Sequence, residues 1–264
     1  MTGKKRKLGL ALGAGALRGL CHLGFLQVLK DEGITADYVA GTSIGAVIGS
    51  LYAAGIDLKT LADIAKHLRL RHLVDPVFPR QGLLQGKNIM EILQLFLRDI
   101  TFAELQIPLA VVATDLASGR EVVFREGPVV EAVRASISIP GIFTPLRQGR
   151  QVLVDGALVN RVPISTVRAM GAEKVIAVSI NPSFCPDRLN NVAEIILQSF
   201  ALLQTQVVAD KLQEADLVIE PRVGDINPAS LDDAERCIEE GAEAARRFLP
   251  QIKALLNSPA PQRW

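Results

Sequence analysis

Residues 36–55 read ADYVAGTSIGAVIGSLYAAG, and their interpretation fixes the fold class. A short apolar run leads to Ser43, which sits in a G-x-S-x-G pattern from Gly41 to Gly45, and a helical stretch closed by Gly55 follows. Strand, sharp turn and helix in that order form the setting in which such a serine is exposed as a nucleophile. The turn is strained and admits only small neighbours, and it holds the hydroxyl at a helix N-terminus, where the dipole favours negative charge. The competing reading is a plain strand-to-helix turn in which Ser43 only caps the helix.

The pattern around this stretch repeats the same alternation. KLGLAL (7–12) is a buried strand running into glycines, and the segment from Gly19 places Leu20, Leu23, Leu26 and Leu29 on one helical face, with Gly33 as the stop. Residues 57–105 read as helical throughout, broken by prolines at VDPVFPRQG. Strand-like runs follow at 108–114, 120–124, 151–155, 174–180 and 215–220, with helical patterns at 128–135, 163–170, 190–213 and about 230–256. Alternating strands and helices predict a layered α/β protein with a largely parallel sheet, as one domain over 1–264. Its core would span about 8–180, with a largely helical C-terminal portion at about 186–258 and a frayed tail, SPAPQRW.

Composition supports that class. Of 264 residues 49% are apolar and only 5% aromatic, so Ala, Leu, Val and Ile carry a sizeable core. A net charge of +1 gives no global argument for nucleic-acid binding. Cys21, Cys185 and Cys237 are odd in number and lack metal-ligand spacing, so they read as reduced thiols in a cytoplasmic protein. The basic start and apolar run at the N-terminus imitate a secretory signal, but three glycines interrupt the run and no cleavage site follows, so it reads as a first strand and turn. No apolar stretch approaches the ~18 residues of a membrane span.

A nucleophilic serine needs a base. The histidines are His22, His67 and His72, all within the first 72 residues, so a serine–acid–histidine triad in the usual α/β-hydrolase order is excluded. His22 reads as a packed core residue, and His67 and His72 belong to KHLRLRH, a solvated basic face. The remaining base is a carboxylate. Asp155 in LVDGALVNRVP stands just past a strand end, where side chains enter the crevice of an α/β sheet. Partial burial would raise its pKa and strengthen it as a base, while a turn-forming Asx role remains equally open. LGAGALRG (12–19) offers successive backbone N–H groups to an anion, and Arg18 adds a fixed charge suited to a phosphate. The same glycines loosely match a dinucleotide-binding turn, with Asp37 in position to touch a ribose, although Arg18 stands where the third glycine belongs.

The glycine-rich turn, G-x-S-x-G and D-G-A stand in an order that resembles the patatin-like phospholipase family, in particular its small bacterial members. The segments that carry the resemblance are RGLCHLGFLQVL, GTSIGA, ATDLASG, ASISIPGIFTP and DGALVNRVP, between Leu8 and about Val178. The resemblance implies a three-layer α/β/α fold with a mostly parallel central sheet and a Ser–Asp dyad. Ser43 would be the nucleophile, Asp155 the base, the Gly15 and Ala16 amides the oxyanion hole, and Arg18 a support for the turn or a phosphate contact. The implied activity is cytoplasmic hydrolysis of lipid or phospholipid carboxylic esters without metal or organic cofactor. Apart from the resemblance, KHLRLRH could touch an anionic membrane surface and helices within 57–105 could cover the acyl site, with ordinary solvation and core packing the favoured readings. The family's turn is usually a run of glycines, and this chain has Ala14 and Ala16; a positive φ at either would carry strain. That departure leaves open an adaptor or regulatory protein with weak hydrolysis, beside the nucleotide binder. Asp115 reads as a turn residue, and the proline-flanked 138–145 segment as a loop lining the crevice.

Overall fold

The computed structural model describes residues 6–78, 82–181 and 192–257. The first strand, β1 (Leu8–Leu12), leads through a 3-10 turn (Ala16–Leu20) into α1 (Cys21–Asp31). Next come β2 (Tyr38–Thr42), α2 (Ile44–Ala53), α3 (Leu58–His67), a 3-10 turn (Leu70–His72), β3 (Gly82–Leu84) and α4 (Lys87–Leu97). β4 (Leu109–Asp115), β5 (Arg120–Phe124), α5 (Val129–Ser136), β6 (Gly141–Phe143), β7 (Leu146–Gln148) and β8 (Gln151–Asp155) follow. The last elements are α6 (Ile164–Ala169), β9 (Lys174–Val178), α7 (Val192–Leu212), β10 (Leu217–Ile219) and α8 (Ala234–Asn257). Cys185 and the SPAPQRW tail lie outside the described residues.

One eight-stranded sheet runs β10-β9-β1-β2-β4-β8-β7, with β5 also paired to β4. The five strands from β10 to β4 are mutually parallel. Their side chains alternate between two unlike layers. Leu10, Leu12, Val39, Leu109, Val111, Ile176 and Val178 meet residues of α1, α2, α5 and α8 on one face. Ala11, Ala40, Ala110 and Ala177 meet Ile164 and Val167 of α6, with Val208 and Leu212 of α7 packed against them. Burial on both faces explains why these strands read as continuous apolar runs rather than alternating ones. The fold is the three-layer arrangement expected from the sequence.

β4 has two edges and three partners, and this sets the geometry of the site. β5 lies along 111–115 on one edge, so β2 and β8, whose registers overlap that range, must share the other. β2 pairs in parallel as far as Thr42 opposite Val112, and β8 arrives antiparallel with Asp155 opposite Ala113. Two strands therefore meet end to end beside β4.

The 57–105 region is not wholly helical, as the sequence had suggested. Leu84 and its neighbours form β3, which pairs in parallel with β6, Gly82 opposite Gly141 and Leu84 opposite Phe143. The partner lies far along the chain, so no local periodicity announces it. Both members are also shorter than the window that reveals a period.

α1 and α8 cross at backbone contact. A Cβ on Gly24 would collide with the Ile238 carbonyl, and one on Gly241 with the Cys21 carbonyl. Gly241→Val should therefore destabilise the chain by about 1–3 kcal/mol or more, as overpacking does. A lowered urea midpoint would register it, with the exposed Glu235→Ala on the same helix as a near-neutral control.

Candidate active site

Ser43 follows β2 directly, and its backbone takes φ 56° and ψ −124°. A non-glycine residue at positive φ carries roughly 1–3 kcal/mol of strain that its surroundings must hold. The two flanking glycines are needed for space, since a Cβ on Gly41 would strike the backbone of Gly45 and Ala46, and one on Gly45 the carbonyls of Leu12 and Gly13. Ser136 secures the bend: its Oγ accepts the Ser43 N–H at 2.8 Å and donates to the Val112 carbonyl at 2.6 Å.

Although Ser43 occupies the N-cap position of α2, its side chain makes no capping bond. Its hydroxyl instead donates to Asp155 Oδ2 at 2.6 Å. The other carboxylate oxygen, Oδ1, accepts the Ala157 N–H at 2.8 Å. The two sequence readings of Asp155 are thus both present, one on each oxygen. Its backbone is fixed as well, with its N–H donating to the Ser138 carbonyl (2.9 Å) and its carbonyl accepting from Thr114 Oγ1 (3.0 Å). Ser43 and Asp155 are each only 4% exposed. Burial pushes the Asp155 carboxyl up to about 6, against the opposing pull of the Ser43 and Ala157 hydrogen bonds and the Arg161 charge. An alcohol donating to such a carboxylate can pass it a proton.

The glycine-rich loop lies beside this pair. The Gly13 N–H donates to the Val178 carbonyl, Ala14 N–H to Arg161 and Leu17 N–H to Pro228. Among the described residues, the Gly15 and Ala16 amides take no part in these loop bonds. Of the two alanines that depart from the family turn, Ala16 adopts φ 50° and Ala14 stays outside the positive region. The cost of roughly 1–2 kcal/mol for an L-residue there falls on one position. Gly15 passes so close to Ile180 that a Cβ would lie 2.6 Å from its Cδ1.

His22 is fully buried, as the sequence suggested, and does more than fill space. Its Nε2 lies 2.9 Å from the Gly13 carbonyl, and burial lowers its pKa to about 4, so the ring is neutral and donates there. It anchors the start of the same loop. Arg18 is 5% exposed within the 3-10 turn, and its charge acts on Arg161, Cys21 and Cys237.

Sequence reasoning did not single out Ser136, Ser138 or Arg134. Arg134 is buried, and its guanidinium donates to Ser138 Oγ and to the carbonyls of Gln85 and Thr144. It ties the β3–β6 pair to the segment that positions Asp155. Only the clustering of ASISIPGIFTP near the other motifs hinted at this.

Asp115 forms a turn, accepting from Ser118 Oγ and from the Ala117 and Val152 N–H groups. Asp37 accepts the Leu8 N–H at 2.7 Å at the N-terminal edge of the parallel strands, the edge opposite Ser43. A ribose-binding acid belongs at the other edge, which removes the structural basis of the nucleotide reading. Among the described residues, no group of three or more His, Cys, Asp or Glu side chains could hold a metal ion.

The family model for patatin-like phospholipase matches residues 10–168. The chain belongs to the patatin-like phospholipase family. Uncharacterized NTE family proteins of Mycobacterium tuberculosis (strain ATCC 25618 / H37Rv) are similar to it, one 37% identical over 67% of this chain and 50% of its own length. Another is 30% identical over 92% of this chain and 46% of its own. The chain thus spans about half the length of these curated relatives. Among solved structures, VipD from Legionella pneumophila aligns over 94% of this chain and 67% of its own, with a TM-score of 0.58 at 15% identity. The type III effector protein ExoU aligns over 94% and 53%, with a TM-score of 0.53 at 14% identity. At such identities the likeness concerns the fold.

A raised carboxyl pKa destabilises the native state once the unfolded chain can ionise. The Asp155 contribution is therefore neutral below about pH 4 and becomes unfavourable as pH rises to about 6, to an extent of about 3 kcal/mol. Asp155→Asn should then be more stable than wild type at pH 8, with the gain vanishing near pH 4. Urea unfolding at the two pH values checks this, and a pH-independent difference would refute it.

Proposed function

We propose that the chain is a serine acyl hydrolase of lipase or phospholipase A type, acting on lipid carboxylic esters through a Ser43–Asp155 dyad. The observation that carries this reading is the 2.6 Å hydrogen bond from Ser43 Oγ to the buried Asp155 carboxylate. Membership of a phospholipase family supplies the class of substrate.

Asp155 Oδ2 takes the hydroxyl proton as Ser43 Oγ bonds to the ester carbonyl carbon, and the electron pair moves to the carbonyl oxygen. The Gly15 and Ala16 amides receive that oxyanion, with the α2 dipole behind Ser43 adding to the field. Collapse expels the alcohol, which takes the proton from Asp155 and leaves an acyl-serine. A water then gives its proton to Asp155 while its oxygen attacks the acyl carbon, and Ser43 leaves with that proton. One carboxyl near pKa 6 serves as base and acid in turn, which suits work near neutral pH. His22 keeps the loop in place and exchanges no proton. Arg18, buried in the 3-10 turn, brings positive charge near the site.

Hydrolysis of a para-nitrophenyl ester tests the dyad. Ser43→Ala and Asp155→Ala should each lower kcat by about 10³-fold or more, and a fluorophosphonate should label Ser43. Equal turnover by wild type and both variants would remove the reading and leave an adaptor role. Because only ionised Asp155 can accept the proton, kcat/KM should fall about tenfold per pH unit below about pH 6 and level off above it.

A further inference from the structure

We infer that Arg134 is a positioning residue for the dyad, its guanidinium clamping the Gln85–Gly86 corner to Ser138, so that turnover at Ser43 depends on how the start of α4 is seated. This deepens the hydrolase reading and rests on it, although the clamp is defined by contacts outside the dyad.

The clamp joins three separate pieces of chain. One arm of the guanidinium, Nη1, donates to Ser138 Oγ. The other, Nη2, donates to the Gln85 carbonyl, and to the carbonyl and Oγ1 of Thr144 at 2.9 and 3.2 Å. Gly86 closes over the same group, since a Cβ there would lie 2.7 Å from Arg134 Nε and 2.9 Å from Cζ. The Phe143 ring covers it as well, with 5.9 Å between its centroid and Cζ. A planar fork of donors can reach in these directions at once, whereas an ammonium is a point charge. The corner is itself braced, because the Asp75 carboxylate accepts the N–H groups of Gly86 at 2.8 Å and Asn88 at 3.2 Å.

From Ser138 the connection to the dyad is short. Ser138 Oγ also donates to the Arg134 carbonyl at 2.8 Å, so its side chain is held from two sides. Its main-chain carbonyl accepts the Asp155 N–H at 2.9 Å, and Asp155 accepts from Ser43 Oγ at 2.6 Å. Among the described residues, the guanidinium donates to neither member of the dyad. Its action on Asp155 runs through Ser138.

The cost of the arrangement argues against packing as its purpose. Arg134 is 4% exposed, and its charge is met by neutral oxygens; burial lowers its pKa, opposed by the charge of Asp75. A buried charge without a bonded counter-ion is expensive, and an apolar side chain of similar volume is often at least as stable in such a place. What the guanidinium supplies, and an apolar residue lacks, is a fixed spacing between the segments that hold Asp155 and α4.

The test is para-nitrophenyl ester hydrolysis by the full chain and its variants. Arg134→Ala should lower kcat about tenfold or more with KM little changed, since a misplacement of about 1 Å can cost ~10²-fold. Millimolar guanidinium should restore part of that kcat, and equal concentrations of urea or sodium chloride should not. A second pair separates the clamp from loss of fold. Gly86 and Gly33 have φ of 78° and 68°, so alanine carries a similar backbone penalty at each, but a Cβ on Gly33 meets nothing within 4 Å. Gly86→Ala should lower kcat by pressing on the guanidinium, and Gly33→Ala should leave it at the wild-type value. If circular dichroism shows that Arg134→Ala does not fold, the glycine pair alone decides. Wild-type kcat in Gly86→Ala or in folded Arg134→Ala, or a loss in the folded variant that guanidinium leaves untouched, would overturn the positioning role. The hydrolase reading would survive that result as long as Ser43→Ala is inactive. Equal turnover by wild type and Ser43→Ala would remove the hydrolase reading and this role together.

Discussion

β4 receives two strands on a single edge, and they run toward each other. β2 stops at Thr42 opposite Val112, and β8 stops at Asp155 opposite Ala113, so there is no room for either to continue. The chain leaving β2 must swerve at the next residue, which is Ser43, and it does so at positive φ. That collision brings a hydroxyl and a carboxylate 112 positions apart in sequence to 2.6 Å. The bend, the burial and the contact share this cause.

Holding such a bend requires space and polar anchors. Gly41 and Gly45 give the space, because α2 begins against the backbone of β1 and any side chain there would collide with it. Ser136 and Ser138 give the anchors, one taking the Ser43 N–H and the other the Asp155 N–H. Both serines lie at the end of α5 and just beyond it, so one segment fixes both halves of the pair. The strain at Ser43 and the raised pKa of Asp155 are destabilising features kept in place by this scaffold, as is common where a site is pre-organised.

The loop after β1 is handled in the same way. His22 donates to Gly13, the Val178 and Arg161 carbonyls accept from Gly13 and Ala14, and on the far side the Pro228 carbonyl accepts from Leu17, so each side of the loop is pinned. Ala16 carries a positive φ in a turn where the family usually has glycines, and the pinning on either side holds that unfavourable conformation in position. The departure in sequence is thereby absorbed as strain, with the loop still folded beside Ser43.

The local pattern was sufficient for the layers. Apolar runs ending in glycine or a short turn marked β1, β2, β4, β8 and β9, because strands buried on both faces leave an unbroken hydrophobic signature. The absence of any histidine after His72 turned attention to a carboxylate by simple count, D-G-A after a strand made Asp155 a candidate with a turn role equally open, and the family resemblance implied the role of base. The β3–β6 pairing escaped notice, as did the roles of Ser136, Ser138 and Arg134. A three-residue strand has no period to detect, and a serine or arginine inside a helix looks the same whether it faces solvent or holds the backbone around Ser43 and Asp155. The sequence by itself determined which residues were chemically able to act, since that depends on side-chain type and immediate neighbours. Only the tertiary structure decided that they meet, because their meeting depends on two strands competing for one edge of a third.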